Sequence, residues 1–295
     1  MNAAVHNPLD GLSSYGSDRA WEANLHLSYS LKSNRTIVSN MRFKGPLRVQ
    51  RPFYPEQGRC HTYLLHPPGG MVSGDKIDIS VDVNEGAESF ITTPSAGKLY
   101  GADSENVVQT QNIELNVADN ATLEFLPQEN ILFDRANGKL STSINLSKSS
   151  KFIAWDMLSF GRPHGGYHFK SGSLDQLLQI KIDGKLVLHE GFKTDDDLTI
   201  LSSPVGMMGH LHMGSLFIVV PEKIEHYAAW TEQARELLVN DETLRMAATQ
   251  RNGVLMIRAL SDDIEMLRNA FIKVWQGLRL AVLEQEPVMP RIWLT

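Results

Sequence analysis

Two carboxylates lie in segments that are otherwise apolar. Asp156 interrupts KFIAWDMLSF, which is apolar on both faces of a strand, and Glu190 ends the segment LVLHE. A buried charge is costly unless it is paired, protonated or exposed to internal water. Each carboxylate therefore either pairs with a structural arginine such as Arg162 or Arg135, or lines a polar passage. In the second case the two groups could pass a divalent cation along, since such cations take carboxylate oxygens as ligands.

The two histidines of MMGHLHMG, His210 and His212, form a second candidate metal site. They stand among Met207, Met208 and Met213, and imidazole together with thioether suits a borderline or soft metal. Methionines are also typical of core packing, because their flexible side chains fill irregular gaps. Both interpretations of the two histidines stay open.

Cys60 is the single cysteine of the chain. It shares a predicted strand face with Thr62, Leu64 and His66, so a Cys/His metal pair is one interpretation. A buried structural thiol is the simpler one, because free cysteines are among the most buried residues. A single cysteine excludes an internal disulfide, which favours the cytoplasm as the compartment.

The stretch HPPGGMVSGDK resembles a phosphate-binding loop in its glycine spacing. Gly69 and Gly74 stand as in a P-loop, but Asp75 takes the place of the lysine that would neutralise the phosphate. The alternating residues that follow indicate a strand, whereas a P-loop must open a helix. The sequence therefore predicts no nucleotide site here.

Length, charge and composition exclude several classes of function. The chain has 295 residues, a net charge of −6 and 42% hydrophobic residues, as is typical of a globular protein. The negative charge gives no general attraction to nucleic acid or to an anionic membrane. No apolar run approaches the roughly 20 residues that span a bilayer. Residues 1–20 lack the basic and apolar regions of a signal peptide, so we predict a disordered tail.

Short segments of alternating apolar and polar residues recur up to about residue 205. The predicted strands are Trp21–Leu31, Cys60–Leu65, Lys76–Val83, Glu88–Thr92, Val107–Val117, Thr122–Leu126, Lys139–Leu146, Lys151–Phe160, Leu174–Ile182 and Lys185–Glu190. Turn-type sequences such as NEGA, ADNA, ANGK and IDGK separate them. The pattern predicts a mainly β fold, with a large antiparallel β scaffold over residues 21–205.

The last third of the chain has a different pattern. Its predicted elements are a strand Met213–Val220, a helix from Pro221, a hairpin of Leu244–Thr249 and Val254–Leu260 around Asn252-Gly253, and a long helix. Ser261 is the predicted cap of the long helix. We therefore expect residues 206–295 to form a smaller α+β element with two helices, packed on the scaffold within one compact domain.

Six motifs carry a family resemblance. They are GPLRVQRPFYPE from Gly45, CHTYLLHPPGGMVSGD from Cys60, TTPSAGKLY from Thr92, LEFLPQENILFDRA from Leu123, AWDMLSFGRP from Ala154 and PRIWLT from Pro290. In this order they closely resemble the urease accessory protein D (UreD) family, from about Trp21 to the C-terminus. The YLLHPPGG block is the most specific of them, and it marks the glycines of the P-loop-like stretch as a turn of this scaffold.

The resemblance implies a non-enzymatic role in building the urease metallocentre. Members of the family bind apo-urease and recruit accessory protein F, which in turn docks the nickel-carrying GTPase, accessory protein G. Their fold is a β scaffold with two helices. Nickel would be bound only transiently, in an internal passage proposed for the family, and Asp156 and Glu190 fall where its acidic lining is expected. The MMGHLHMG segment matches no metal motif of the family.

The alternative function is that of a hydrolase with Asp156 and Glu190 as a general acid/base pair. A hydrolase needs an open, ligand-sized cleft with both carboxylates on its wall. A narrow internal passage that reaches a flat interaction surface would instead favour the assembly factor.

Overall fold

Two β-sheets make up most of the computed structural model, which describes residues 21–194 and 197–294. The predicted tail, residues 1–20, and the last residue of the predicted element 206–295 lie outside the described residues. The predicted mainly β class is confirmed, with a smaller helical part near the C-terminus.

The first sheet has seven strands in the described part of the chain, in the order β15-β14-β11-β8-β5-β1-β2. They are β1 (Glu22–Lys32), β2 (Arg35–Lys44), β5 (Lys76–Val83), β8 (Gln109–Val117), β11 (Ala136–Leu146), β14 (Gly172–Ile182) and β15 (Lys185–Lys193). The second sheet runs β17-β18-β16-β12-β9-β6-β4-β3. Its strands are β3 (Arg48–Val49), β4 (Cys60–Leu65), β6 (Glu88–Thr92), β9 (Thr122–Phe125), β12 (Lys151–Arg162), β16 (His212–Val219), β17 (Leu244–Arg251) and β18 (Val254–Ser261). Three short strands extend it, namely β7 (Gly97–Leu99), β10 (Asn130–Leu132) and β13 (Tyr167–His168).

The chain coils between the two sheets, and this corrects the predicted antiparallel pairing. Strands β5, β8, β11 and β14 lie parallel in the first sheet, and β4, β6, β9 and β12 lie parallel in the second. Antiparallel pairs occur where the chain forms hairpins, as in β1–β2 and β14–β15, and among β12, β16, β18 and β17. The sheets are therefore mixed.

The turn sequences explain the difference. NEGA and ADNA carry the chain from one sheet to the other, and successive corners stack, since the Gly86 N–H donates to the Asp119 carbonyl at 3.0 Å. IDGK does form a hairpin, with Asp183 and Gly184 at φ of 46° and 77°, as the tight turn requires. ANGK lies within β11 and is not a turn.

Polar side chains on the outer face of the first sheet stack in register from coil to coil. The Asn112 amide donates to Asp78 at 2.7 Å, and the Asn116 amide donates to Asp82 at 2.9 Å. The inward residues of the same strands, such as Ile77 and Val81, are buried between the sheets. Parallel pairing in register therefore places apolar residues on the inner face of the sheet, in the core. On the outer face it aligns polar side chains in a row of hydrogen bonds.

The P-loop-like stretch forms a turn followed by strand β5, as predicted. Gly74 has φ of +82°, and the Asp75 carboxylate accepts the Val72 N–H at 2.8 Å. The carboxylate therefore occupies a backbone donor that a phosphate would need.

Two helices pack on the outer face of the second sheet, as predicted, and a one-turn helix precedes them. They are α1 (Thr199–Ser202), α2 (Tyr227–Leu237) and α3 (Ile264–Leu283). The cap of α3 is Asp263 rather than Ser261, because the Asp263 carboxylate accepts the N–H groups of Glu265 and Met266. Within the described residues, no helix combines the length and apolar character needed to cross a bilayer.

A buried ionic network attaches α3 to the second sheet. The Glu124 carboxylate on β9 accepts from Arg59, from Arg279 at 2.9 Å and from the Trp275 indole at 2.6 Å. Arg279 also donates to Glu56 at 2.6 Å. Arg59, Glu124 and Arg279 are almost completely buried, so each charge depends on the others for compensation.

Candidate functional site

Asp156 and Glu190 approach each other from opposite sheets. Asp156 lies on β12 of the second sheet and Glu190 on β15 of the first, and both line a cavity of about 640 Å³. The segment Ile200–Met207 forms part of its wall. The structure thus brings two residues that are separated along the chain to the wall of one cavity.

Asp156 is held by an amide rather than by an arginine. The Gln176 side chain on β14 donates to its Oδ2, and Asp156 is half-buried in the cavity wall. The pKa of Asp156 is raised to about 6, first by burial and then by the negative charge of Glu190, with the Gln176 hydrogen bond opposing both effects. Asp156 can therefore change its charge close to neutral pH.

Glu190 pairs with an arginine that the sequence analysis did not identify. The Arg258 guanidinium on β18 lies 2.9 Å from Glu190 Oε1, whereas Arg135 and Arg162 contact neither carboxylate among the described residues. Glu190 Oε2 is buried without a hydrogen-bond partner in this part of the chain. One oxygen of Glu190 is thus occupied and the other is free to accept a ligand.

A second, narrower cavity of about 120 Å³ lies between the sheets and shares lining residues with the first. Asp156, Leu178 and Phe217 line both cavities. The second cavity extends to His66, in the loop after β4, and to Lys98 on β7, both of which belong to family motifs. Asp156 therefore stands where the open cavity adjoins the interior of the sandwich.

The two histidines of MMGHLHMG do not join this site. His212 faces α3 and not the cavity, and its Nδ1 lies 2.8 Å from Ser159 Oγ. His210 Nδ1 lies 3.1 Å from Asp262 Oδ1. Burial lowers the pKa of His212 to about 4, although Asp263 and Asp262 oppose the shift. Each histidine already has a protein partner on one ring nitrogen.

Cys60 is buried on β4 beside Thr62, with Sγ 3.9 Å from Thr62 Oγ1. Burial raises the pKa of the Cys60 thiol, which disfavours the thiolate that a metal would need. The structure supports the interpretation of a structural thiol.

In residues 21–194 and 197–294, no group of three or more His, Cys, Asp or Glu side chains is arranged to hold a metal ion. Asp156 and Glu190 offer two carboxylates, and a stable divalent site takes at least four ligands as a rule. This arrangement can contact a passing cation but does not enclose one.

Two members of the site were missed by the sequence analysis. Arg258 interrupts the apolar strand VLMIRALS as Asp156 interrupts its own strand, so the same criterion could have found it. Gln176 lies in the alternating segment LDQLLQIKI, where a neutral amide gives no signal.

Comparison with known proteins gives one family. Residues 22–294 match the model of the UreD urease accessory protein family. A urease accessory protein UreD from Hahella chejuensis is 38% identical over 293 residues, covering 97% of this chain and 94% of the relative. The UreD protein of Vibrio parahaemolyticus is 40% identical, covering 95% and 98%, and that of Pseudoalteromonas translucida is 39% identical, covering 96% and 94%. The chain therefore belongs to the UreD family of urease accessory proteins.

Proposed function

We propose that this protein is a urease maturation factor that acts in the cytoplasm as a non-enzymatic scaffold. It binds apo-urease and accessory protein F, and through F the GTPase accessory protein G, so that nickel reaches the urease active site. Family membership supports the role in urease maturation. The observation that carries the nickel step is the position of Asp156, which lines both the open cavity and the narrow interior cavity.

Nickel is the cargo of this scaffold and not a resident cofactor. A conduit must bind its cation weakly enough to release it, and two carboxylates on facing sheets provide few ligands. Asp156 can lose its proton when a cation arrives, because its pKa is about 6, and the free Oε2 of Glu190 provides a second oxygen. The ion would then be shared between the two sheets.

The test measures urease activation with Asp156→Ala, with Glu190→Ala and with both changes together. We expect melting temperatures no lower than that of the unchanged chain and intact complexes with accessory protein F and apo-urease, but reduced nickel content in urease, lowest for the double variant. Asp175→Ala on the outer face of β14 is the matched control, since Asp175 is exposed and lines neither cavity. Unfolded variants, or full nickel incorporation by the double variant, would reject the passage.

A hydrolase is the second candidate, because both carboxylates do line one open cavity of ligand size. Two observations weigh against it. The Arg258 guanidinium already occupies one oxygen of Glu190, and the relatives are named accessory proteins. Hydrolysis of a panel of nitrophenyl glycosides and esters that is lost in Asp156→Asn would favour the hydrolase.

A further inference from the structure

Three corners of the coil and the hairpin after β12 each place one apolar or aromatic side chain in a single row. Met71 pairs with Leu99, and Leu99 pairs with Leu132, so the next residues, Val72, Tyr100 and Phe133, stand side by side. The Tyr100 and Phe133 rings are 5.3 Å apart, and the Tyr167 ring, from the hairpin after β12, is 5.6 Å from Phe133. We call Val72, Tyr100, Phe133 and Tyr167 the corner row.

The corner row is exposed, although its residues are apolar or aromatic. Val72 is 52% exposed, Tyr100 37% and Tyr167 57%, while Phe133 is half-buried between the two tyrosines. Contiguous exposed apolar groups are uncommon on a monomer and typically mark interaction sites. Tyrosine and phenylalanine are also enriched in the centres of protein interfaces.

Cationic side chains surround the corner row. Arg135, Arg162 and Lys170 are exposed, and none of them forms an ion pair within residues 21–194 and 197–294. The nearby Asp134 carboxylate instead accepts the N–H groups of Lys170 and Ser171, each at 2.9 Å. The three cations outnumber the Asp134 carboxylate beside the corner row, although the net charge of the whole chain is −6.

We propose that the corner row is the docking surface for a protein partner whose contact surface has an apolar centre and an acidic rim. The aromatic row supplies apolar contact area, and Arg135, Arg162 and Lys170 supply charge complementarity at the edge, which sets orientation and association rate. This docking surface rests on the proposed function in one respect. The proposed function supplies the two protein probes, apo-urease and accessory protein F.

The arrangement of the rings favours a protein over a nucleic acid. Single-stranded nucleic acids bind by stacking bases on free aromatic faces. In the corner row, Tyr100 stacks on Phe133 with an interplanar angle of 26°, and Phe133 meets Tyr167 edge to face at 77°. The rings thus cover one another and offer edges, which suit aliphatic and aromatic side chains of a protein.

The test compares two variants of the full chain with two matched controls. The apolar variant is Tyr100→Ser with Tyr167→Ser, and the charge variant is Arg162→Glu with Lys170→Glu. The controls lie on the β1–β2 hairpin and are Met41→Ser with Phe43→Ser, and Lys32→Glu with Arg42→Glu. Met41 and Phe43 are 47% and 50% exposed, so the control removes a similar apolar area elsewhere.

Binding is measured to apo-urease, to accessory protein F, to a glutamate–tyrosine copolymer and to oligo-dT, with melting temperatures as a check of folding. We expect the apolar and charge variants to weaken binding to one of the two proteins by about tenfold or more, with the controls within about twofold of the unchanged chain. The corner-row variants should also bind the copolymer more weakly than the unchanged chain and the controls do. This measurement tests the surface independently of urease.

The outcomes separate the two proposals. If the unchanged chain binds apo-urease or accessory protein F and the corner-row variants bind equally well, the surface is wrong and the proposed function stands. If the chain binds neither protein but the copolymer distinguishes the variants, the surface stands and the proposed function fails. Tighter binding to oligo-dT than to the copolymer, lost in the variants, would overturn the surface as a protein site.

Discussion

The guanidinium of Arg258 lies 2.9 Å from the carboxylate of Glu190, and this contact joins the two sheets beside the cavity that contains Asp156. Because Arg258 offsets the charge of Glu190, Arg258→Gln should raise the pKa of Asp156 further. Carbon-13 NMR titration of the carboxyl groups, with Asp156→Asn for assignment, measures the shift. The melting temperature should change little, since Arg258 is more than half exposed.

Arg245→Gln is the control for this change, because Arg245 lines the same cavity but is not the partner of Glu190. Its effect on the pKa of Asp156 should be smaller. An equal shift in both variants would mean that the general charge of the cavity wall, and not the pair with Glu190, controls Asp156.

Asp156→Asn should stabilise the protein above neutral pH. Burial raises the pKa of Asp156 from 3.8 to about 6, so the folded state keeps the proton longer than the unfolded chain does. The free energy of unfolding therefore falls as pH rises through this interval, by about 3 kcal/mol for a shift of about 2 pKa units. The asparagine variant has no proton to lose, so its free energy of unfolding should not fall in this way. Its side-chain oxygen still accepts the hydrogen bond from Gln176.

Urea unfolding at about pH 7.5 and about pH 4 measures the difference, and Asp175→Asn is the exposed control. The stabilisation should be present at the higher pH and absent at the lower. A variant that is equally destabilised at both would show that Asp156 acts through packing and not through its charge.

His212→Asn should have the opposite pH dependence. Burial lowers the pKa of His212 from 6.5 to about 4, so the unfolded chain takes up the proton first and acid favours unfolding. The wild-type protein thus loses stability as pH falls through this interval, by about 3 kcal/mol at its lower end. The asparagine variant keeps a hydrogen-bonding group toward Ser159 and should lose this part of the acid sensitivity.

The same urea series tests the idea, and His189→Asn serves as a control on the exposed strand β15. Asp156 and His212 have opposite effects on the pH dependence of the free energy of unfolding between about pH 4 and pH 6. Each single variant should therefore show the pH dependence that the remaining residue causes. Parallel pH profiles for wild type and His212→Asn would contradict the assignment.

The sequence predicted the strands well because their alternation is local. The segment from Ile77 to Val83 buries every second residue, and this period can be read without knowing the neighbouring strand. Pairing could not be read in the same way. The turns at Asn84 and at Asp183 have similar residue types, but the first leads to the other sheet and the second closes a hairpin within one sheet.

The candidate site was predictable in part for a related reason. A charge in an apolar strand marks an unusual environment, and this criterion identified Asp156. Applied consistently, it also indicates Arg258 in VLMIRALS and Glu124 in TLEFL, both of which the sequence analysis passed over. The partner of each charged side chain depends on the tertiary packing. The sequence alone therefore could not identify Gln176 as the partner of Asp156 or Arg279 as the partner of Glu124.

Glu124→Gln should destabilise the protein strongly. Its carboxylate receives Arg59, Arg279 and Trp275 in a region without solvent access, and the neutral amide would leave two buried guanidinium groups short of negative charge. Removing one member of a buried ion pair costs about 3 to 5 kcal/mol. Urea unfolding measures the loss, which should appear as a lower midpoint with an unchanged slope.

Glu88→Gln is the matched control, since Glu88 contacts the same Arg59 at 3.0 Å but its side chain is 34% exposed, against 0% for Glu124. Water can replace the lost charge at Glu88, so its loss of stability should be clearly smaller. Arg279→Met added to Glu124→Gln should recover part of the loss, because it removes one of the stranded cations and keeps an apolar stem in the same space. Additive losses in the double variant would show that Glu124 and Arg279 stabilise the fold independently and would contradict their coupling as a buried ion pair.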